Sequence, residues 1–237
     1  MPVSRDVGRI EGFSDAVFGF ALTLLVVSLE VPRTFDEMML GVRALPAFAA
    51  SFAILLMIWQ EHHQFFKRYG IYDGPTIWLN GLLLFLVLFY VYPLKFLMTM
   101  LLGPTGVLFG GEGSGVDPRQ VPALMTLYGV GFMSVFLILA SLHWRALVCF
   151  RRAPEAGVDL DRLRLHFGAC FVYVAVGLLS LSLAQLGTGP WTGGASGLSY
   201  ALIGPAFYVY YGLLAPRVFG RRRAAVEDPE APPSATG

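Results

Sequence analysis

Charge is scarce in this chain. Only 14% of its 237 residues are Asp, Glu, Lys or Arg, against about 25% in a soluble domain. The formal net charge is +1, so no global basic field points to nucleic acid. There are two cysteines, Cys149 and Cys170, in apolar stretches on neighbouring candidate spans, and neither a disulfide framework nor a zinc spacing is visible. The run Glu61-His62-His63 does not supply a metal site, because adjacent histidines on a helix point about 100° apart whereas a helical zinc pair needs i, i+4 spacing. No serine has a neighbouring base, and Gly12-Phe13-Ser14-Asp15 lacks the strand–turn–helix setting of a nucleophile elbow. Neither an enzyme nor a bound cofactor is expected.

What is abundant is apolar surface: 56% of the residues are hydrophobic. A bilayer core of about 30 Å takes about 20 helical residues, and six stretches meet that need. They are Ile10–Val31, Ala44–Phe66, Thr76–Leu102, Val121–Phe150, Leu165–Leu186 and Leu198–Phe219. Pro46 and Pro122 suit first turns, whereas Pro93 and Pro205 fall inside the third and sixth spans. The fold class read from this pattern is all-α: a polytopic membrane protein with one six-helix transmembrane domain over residues 1–220. The first span has no cleavage pattern and reads as retained. A tail over 221–237 opens with three arginines, then turns acidic and proline-rich, a composition that reads as disorder.

Basic residues orient the chain. The N-terminal segment, the second and fourth loops and the C-terminal segment hold 12 of the 17 bases, among them Lys67, Arg68, Arg151, Arg152, Arg162 and Arg164. Cytoplasmic loops carry the excess of Lys and Arg, so both termini are expected in the cytoplasm of a multi-pass cell-membrane protein. The first connection, Arg33–Arg43, has balanced charge and reads as a loop. No strong internal repeat is present. The spacing of Pro93 and Pro205 leaves an inverted-repeat transporter open.

The first span carries the most information. Projected at 100° per residue, Phe13, Ala16, Val17, Phe20, Leu24, Val27 and Val31 form one stripe. Asp15, Leu22, Val26 and Leu29 lie on the other side, with Thr23 between. A carboxylate facing other helices needs donors. Trp59, His62, His63, Trp78 and Asn80 lie at the same cytoplasmic depth on spans two and three, and their indole, imidazole and amide groups can donate. These residues are read as a structural lock among three spans, with proton relay through a histidine as the alternative. Lys95 reads as an interfacial anchor able to snorkel. Glu30, at the outer end of span one, reads as a solvated helix end or, repeated by symmetry, as a ring that attracts cations.

Taken together, Arg9-x-x-x-Phe13-Ser14-Asp15, the following Ala-Val-Phe, Thr23-Leu24-Leu25-Val26 and Val31-Pro32 resemble the signature first helix of the bacterial transmembrane protein 175 family, relatives of the lysosomal potassium channel of that name. Trp59, His62-His63, Phe66, Asp73 and Trp78-Leu79-Asn80 are similar to its second and third spans. The resemblance is dense from Arg9 to about Pro93 and thin beyond. It implies a homotetramer whose first helices line one central pore, with Arg9 and the Phe13-Ser14-Asp15 motif holding that helix through polar contacts. By position, it implies constriction rings of Phe20, Leu24 and Val27, a possible polar layer at Thr23, and potassium-selective permeation, often weak. Phe20 departs from the family, which usually has Ile or Leu there.

Three functions follow as expectations: a tetrameric potassium-permeable cation channel, a proton-coupled secondary transporter using Asp15 with His62 or His63, or a non-conducting membrane protein of the same fold. The expected partners are potassium ions, the lipid bilayer and further copies of the chain.

Overall fold

The computed structural model describes residues 5–27, 31–104, 120–152, 158–186 and 192–214. Glu30 and the tail from residue 221 lie outside the described residues.

Every regular element among the described residues is helical. Helix α1 is Arg5–Val27, α2 Phe35–Arg43, α3 Leu45–Tyr69, α4 Gly74–Leu102, α5 Val121–Arg152 and α6 Leu160–Leu186. Five of them (α1, α3, α4, α5 and α6) are long and apolar enough to cross a membrane. They correspond to the first five expected spans and extend a turn or so further at several ends, for reasons the sequence contains. Gly70 closes α3 in the left-handed region, φ 52°, with its N–H donating to Phe66 O. Asp73 opens α4 by accepting the Thr76 N–H at 3.0 Å. Asp159 opens α6 by accepting the N–H groups of Asp161 and Arg162, each at 3.0 Å, which moves its start from the expected Leu165 back to Leu160. Pro93 is absorbed inside α4.

Two expectations are corrected. The connection Arg33–Arg43 holds a helix, Phe35–Arg43, rather than a loop. The Thr34 side chain accepts the Glu37 N–H at 3.2 Å, and the Glu37 carboxylate takes the Arg33 N–H at 2.7 Å. Thr-x-x-Glu ahead of an apolar run is the capping-box signature. Asp36 and Glu37 in the first turn and Arg43 in the last suit the helix dipole. The sixth stretch, expected over Leu198–Phe219, is not one continuous α-helix where it is described: helix α7, Thr192–Leu198, leads into a 3₁₀ turn Ser199–Leu202, α8 Ile203–Val209 and a π turn Tyr210–Leu214, and residues 215–219 lie outside the described residues. Pro205 accounts for the first break. It has no N–H to give the carbonyl four residues back, and its ring crowds that turn.

Packing follows chain order. Helix α1 lies on α3 and α4, α4 on α5, α5 along the length of α6, and α6 against α7, the 3₁₀ turn and α8. The core runs through Phe18, Leu25, Leu55, Phe65, Leu83, Val87, Tyr128, Phe136 and Leu142. The Tyr90 hydroxyl donates to Tyr128 O at 2.7 Å across the α4–α5 contact. Its ring lies against Gly131, where a Cβ would collide with it. At the basic end of the bundle Arg145 on α5 reaches the Asp73 carboxylate through Nη2 at 2.6 Å and Nε at 2.8 Å. Partial burial pushes the Asp73 carboxyl up. The hydrogen bonds from Thr76 and Arg145 outweigh that and hold it below the usual carboxylate range.

Candidate functional site

Helix α1 has two unlike faces. Ser14, Phe18, Ala21 and Leu25 repeat at intervals of three and four residues and are buried against α3 and α4. Phe13, Ala16, Phe20, Thr23 and Val27 repeat at the same intervals on the other side and are left uncovered by the protomer. Phe20 is 58% exposed and Val27 76%. Val17 and Leu24 sit on the border, half-buried against the core. The Thr23 hydroxyl donates to Phe20 O at 2.7 Å, a bond within the helix that leaves its oxygen lone pairs directed outward.

Polar groups hold the covered face. The Trp59 indole N–H donates to Asp15 Oδ1 at 2.7 Å. One turn towards the basic end, His63 Nδ1 lies 2.9 Å from Glu11 Oε1, an ion-pair distance rather than a well-aligned hydrogen bond. The two contacts are rungs of one antiparallel ladder, since Glu11 and Asp15, like Trp59 and His63, are four residues apart and so share a helix face. Trp59 and His63 also stack, with centroids 5.2 Å apart and planes 18° apart. Deeper in, Asn80 Nδ2 donates to Ser14 Oγ at 2.9 Å, and Asn80 Oδ1 meets His62 Nε2 at 2.7 Å. With the amide so oriented, its carbonyl faces the imidazole, and the proton of neutral His62 sits on Nε2. Ser14 and His62 are fully buried and Asn80 nearly so. A polar group at such a place costs free energy unless it is paired.

The residues grouped from the sequence are thus partly separated. Ser14, Asp15, Trp59, His62, His63 and Asn80 meet in one layer among α1, α3 and α4. Trp78 does not join them: it is 81% exposed. Two residues from buried Asn80 on the same helix, it points about 200° round the axis, so the two cannot serve one partner. Arg9 and Phe13 are exposed on the protomer. Lys95 is half-buried on α4. Not anticipated is Glu11, which the i, i+4 pairing with Asp15 could have suggested. Nor was the position of Glu61 anticipated. It borders a cavity of about 20 Å³ together with His143, His166 and Cys170, room for roughly one water. Among the described residues no three His, Cys, Asp or Glu side chains are grouped to hold a metal ion.

These features define a class: a polytopic helical membrane protein in which one apolar helix is pinned by polar contacts on one face and uncovered on the other. Comparison with known proteins narrows it. The family described as endosomal/lysosomal potassium channel TMEM175 matches residues 9–90. A protein named potassium channel from Marivirga tractuosa is 36% identical over 215 residues, covering 85% of each chain. A potassium channel of Chamaesiphon minutus is 29% identical over 77% of this chain and 88% of its own length. The fold is similar to the crystal structure of a variant of the potassium channel MtTMEM175, with a TM-score of 0.69, 34% identity and coverage of 92% and 93% of the two chains. It is also similar to a lysosomal potassium-selective channel TMEM175 homologue from Chamaesiphon minutus, with a TM-score of 0.53 and 25% identity over 89% of this chain and 98% of that one. The chain belongs to the TMEM175 family.

Proposed function

We propose that the protein is a potassium-permeable cation channel of the cell membrane, a homotetramer whose four α1 helices surround one path. The observation that carries this reading is the uncovered stripe Phe13, Ala16, Phe20, Thr23 and Val27, opposite the face held by Asn80 and Trp59. A repeat of three and four residues is the pattern on which helices pack around a shared axis. Family membership and relatives named as potassium channels support the same reading.

In this arrangement Phe20 and Val27, with Leu24 at the border, form stacked apolar rings. Such constrictions gate by dewetting. An ion passes when the rings are wide enough to hold water, or when the phenyl faces of Phe20 offer partial compensation for lost hydration. Thr23 supplies a polar layer between them, and Glu30 lies at the outer mouth, where it concentrates cations. Residues 192–214 belong to a sixth crossing, and the basic loops hold both termini on the cytoplasmic side.

The test is potassium flux in proteoliposomes containing Phe20→Ala. Removing four phenyl rings is expected to raise the flux. Unchanged flux, where the parent protein conducts, takes Phe20 out of the constriction.

A further inference from the structure

At the edge of the protomer remote from α1, a groove of about 620 Å³ runs between α6 and the α8 segment. One wall is Phe171, Ala175 and Leu179, and the other Leu202, Ala206 and Val209. Tyr210 is the one lining residue with a polar side chain, and its hydroxyl is committed, donating to Leu165 O at 3.0 Å. That hydroxyl can reach α6 because residue 168 is glycine: a Cβ there would collide with it. Tyr210 therefore marks the end of the groove nearer the basic loops, with its O–H turned to the backbone of α6.

We propose that this groove seats one acyl chain of an anionic phospholipid from the cytoplasmic leaflet. Three observations select that occupant. The groove lies along the apolar span Leu160–Gln185, where the surrounding medium is hydrocarbon. From Gly168 to Leu179 a helix rises about 16 Å, close to half of the ~30 Å bilayer core and so the depth of one leaflet. Arg164 is one turn beyond Gly168 on the same face of α6. It is partly exposed and bonded through one Nη to Asp161 at 2.7 Å. A guanidinium has five donors in all, which lets it bind a phosphate beside its carboxylate partner. Exposed Arg162, Arg151 and Arg152 surround the same end of the bundle.

The inference rests on the reading of α1 as the central helix, which puts α6 and α8 at the periphery in contact with lipid. Native mass spectrometry tests both together on purified protein exchanged into micelles doped with equal dioleoyl phosphatidylglycerol and dioleoyl phosphatidylcholine. The parent is expected to retain phosphatidylglycerol, up to one per subunit. Ala175→Phe and, independently, Ala206→Phe fill the groove. By displacing about two methylenes they are expected to weaken retention about fifteenfold. Arg164→Gln is expected to equalise the two lipids while leaving the groove open. Retention unchanged in both filled variants, in protein that melts like the parent, overturns the inference. So does equal retention of the two lipids by the parent. The subunit count in the same spectra reads the tetramer separately, so a tetramer without groove lipid refutes only the lipid site, and a monomer refutes the channel assembly.

Discussion

Asn80 is where the anchoring of α1 is most exposed to test. Its amide bridges two helices, donating to Ser14 on α1 and meeting His62 on α3, and both partners are fully buried. Asn80→Ala strands the Ser14 hydroxyl and the His62 Nε2–H together. A buried polar group left without its partner costs about 1–3 kcal/mol. Inside membrane proteins the measured couplings are smaller, averaging about 0.6 kcal/mol with a maximum near 1.7, because the unfolded helices in a bilayer also find partners. The expected loss for Asn80→Ala is therefore about 1–3 kcal/mol, and for Ser14→Ala, which strands one amide donor, about 1 kcal/mol. The double variant is expected to fall short of the sum by about 0.6–1.7 kcal/mol, since the second truncation then strands nothing new at the Ser14–Asn80 contact. The assay is reversible unfolding in mixed detergent micelles, followed by circular dichroism, for the parent, the two single variants and the double. A coupling below ~0.3 kcal/mol, the scatter expected of independent sites, together with a loss under ~0.5 kcal/mol for Asn80→Ala, refutes the argument that this layer holds α1.

Two further outcomes follow from the ends of the helices. The Asp73 carboxyl, held below its usual range by Thr76 and Arg145, stabilises the fold above the unfolded carboxylate pKa of about 3.9. That contribution is lost as the pH falls from there through the depressed folded value. Asp73→Asn should lower the melting temperature at pH 7 and flatten its dependence on pH between 5 and 3, and an unchanged acid limb would contradict the Arg145 pairing. Thr34→Ala removes the cap of α2, which is expected to cost about 1 kcal/mol of local helix stability. Amide exchange over residues 35–43 should quicken about fivefold, while exchange in α3 stays as it was.

Much of this fold could be read from apolar length, and less of the site could. Spans one to five were legible because a bilayer imposes a minimum run of apolar residues, and caps such as Asp73 and Asp159 merely shift their ends. The helix at Phe35–Arg43 was missed because its charges balance and it is too short to announce a period, although Thr34-x-x-Glu37 marked its start. In the sixth stretch Pro205 signalled an interruption. The 3₁₀ turn before it follows from the missing Pro205 N–H, whereas no local pattern encodes the π turn Tyr210–Leu214. At the site, helical spacing separated Asp15 from the apolar stripe and marked Trp59, His62 and His63 as a donor face. It could not choose between Trp59 and Trp78 as the partner of Asp15, because that depends on the rotation of α4 about its own axis. Buried Asn80 fixes that rotation and sends Trp78 outward.

The distribution of contacts along α1 bears on how a path along it could open. Among the described residues, the side-chain polar links from α1 to α3 and α4 seen here lie between Glu11 and Asp15. Beyond Asp15 the buried side chains are Phe18, Ala21 and Leu25, all apolar. Within a bilayer, apolar packing between helices gains little from exclusion of water, because lipid tails are as apolar as leucine. The stretch carrying Phe20, Leu24 and Val27 is thus attached by weaker, less directional contacts than the stretch below it. In the proposed tetramer, movement of α1 is expected to pivot near Asp15 and grow towards Val27, widening the outer of the proposed rings before the inner ones. Spin labels at Phe20 and at Val27 would read this as a broader distance distribution between subunits at Val27. Equal breadth at the two positions would mean that the helix moves as a rigid rod and that the polar layer is no hinge.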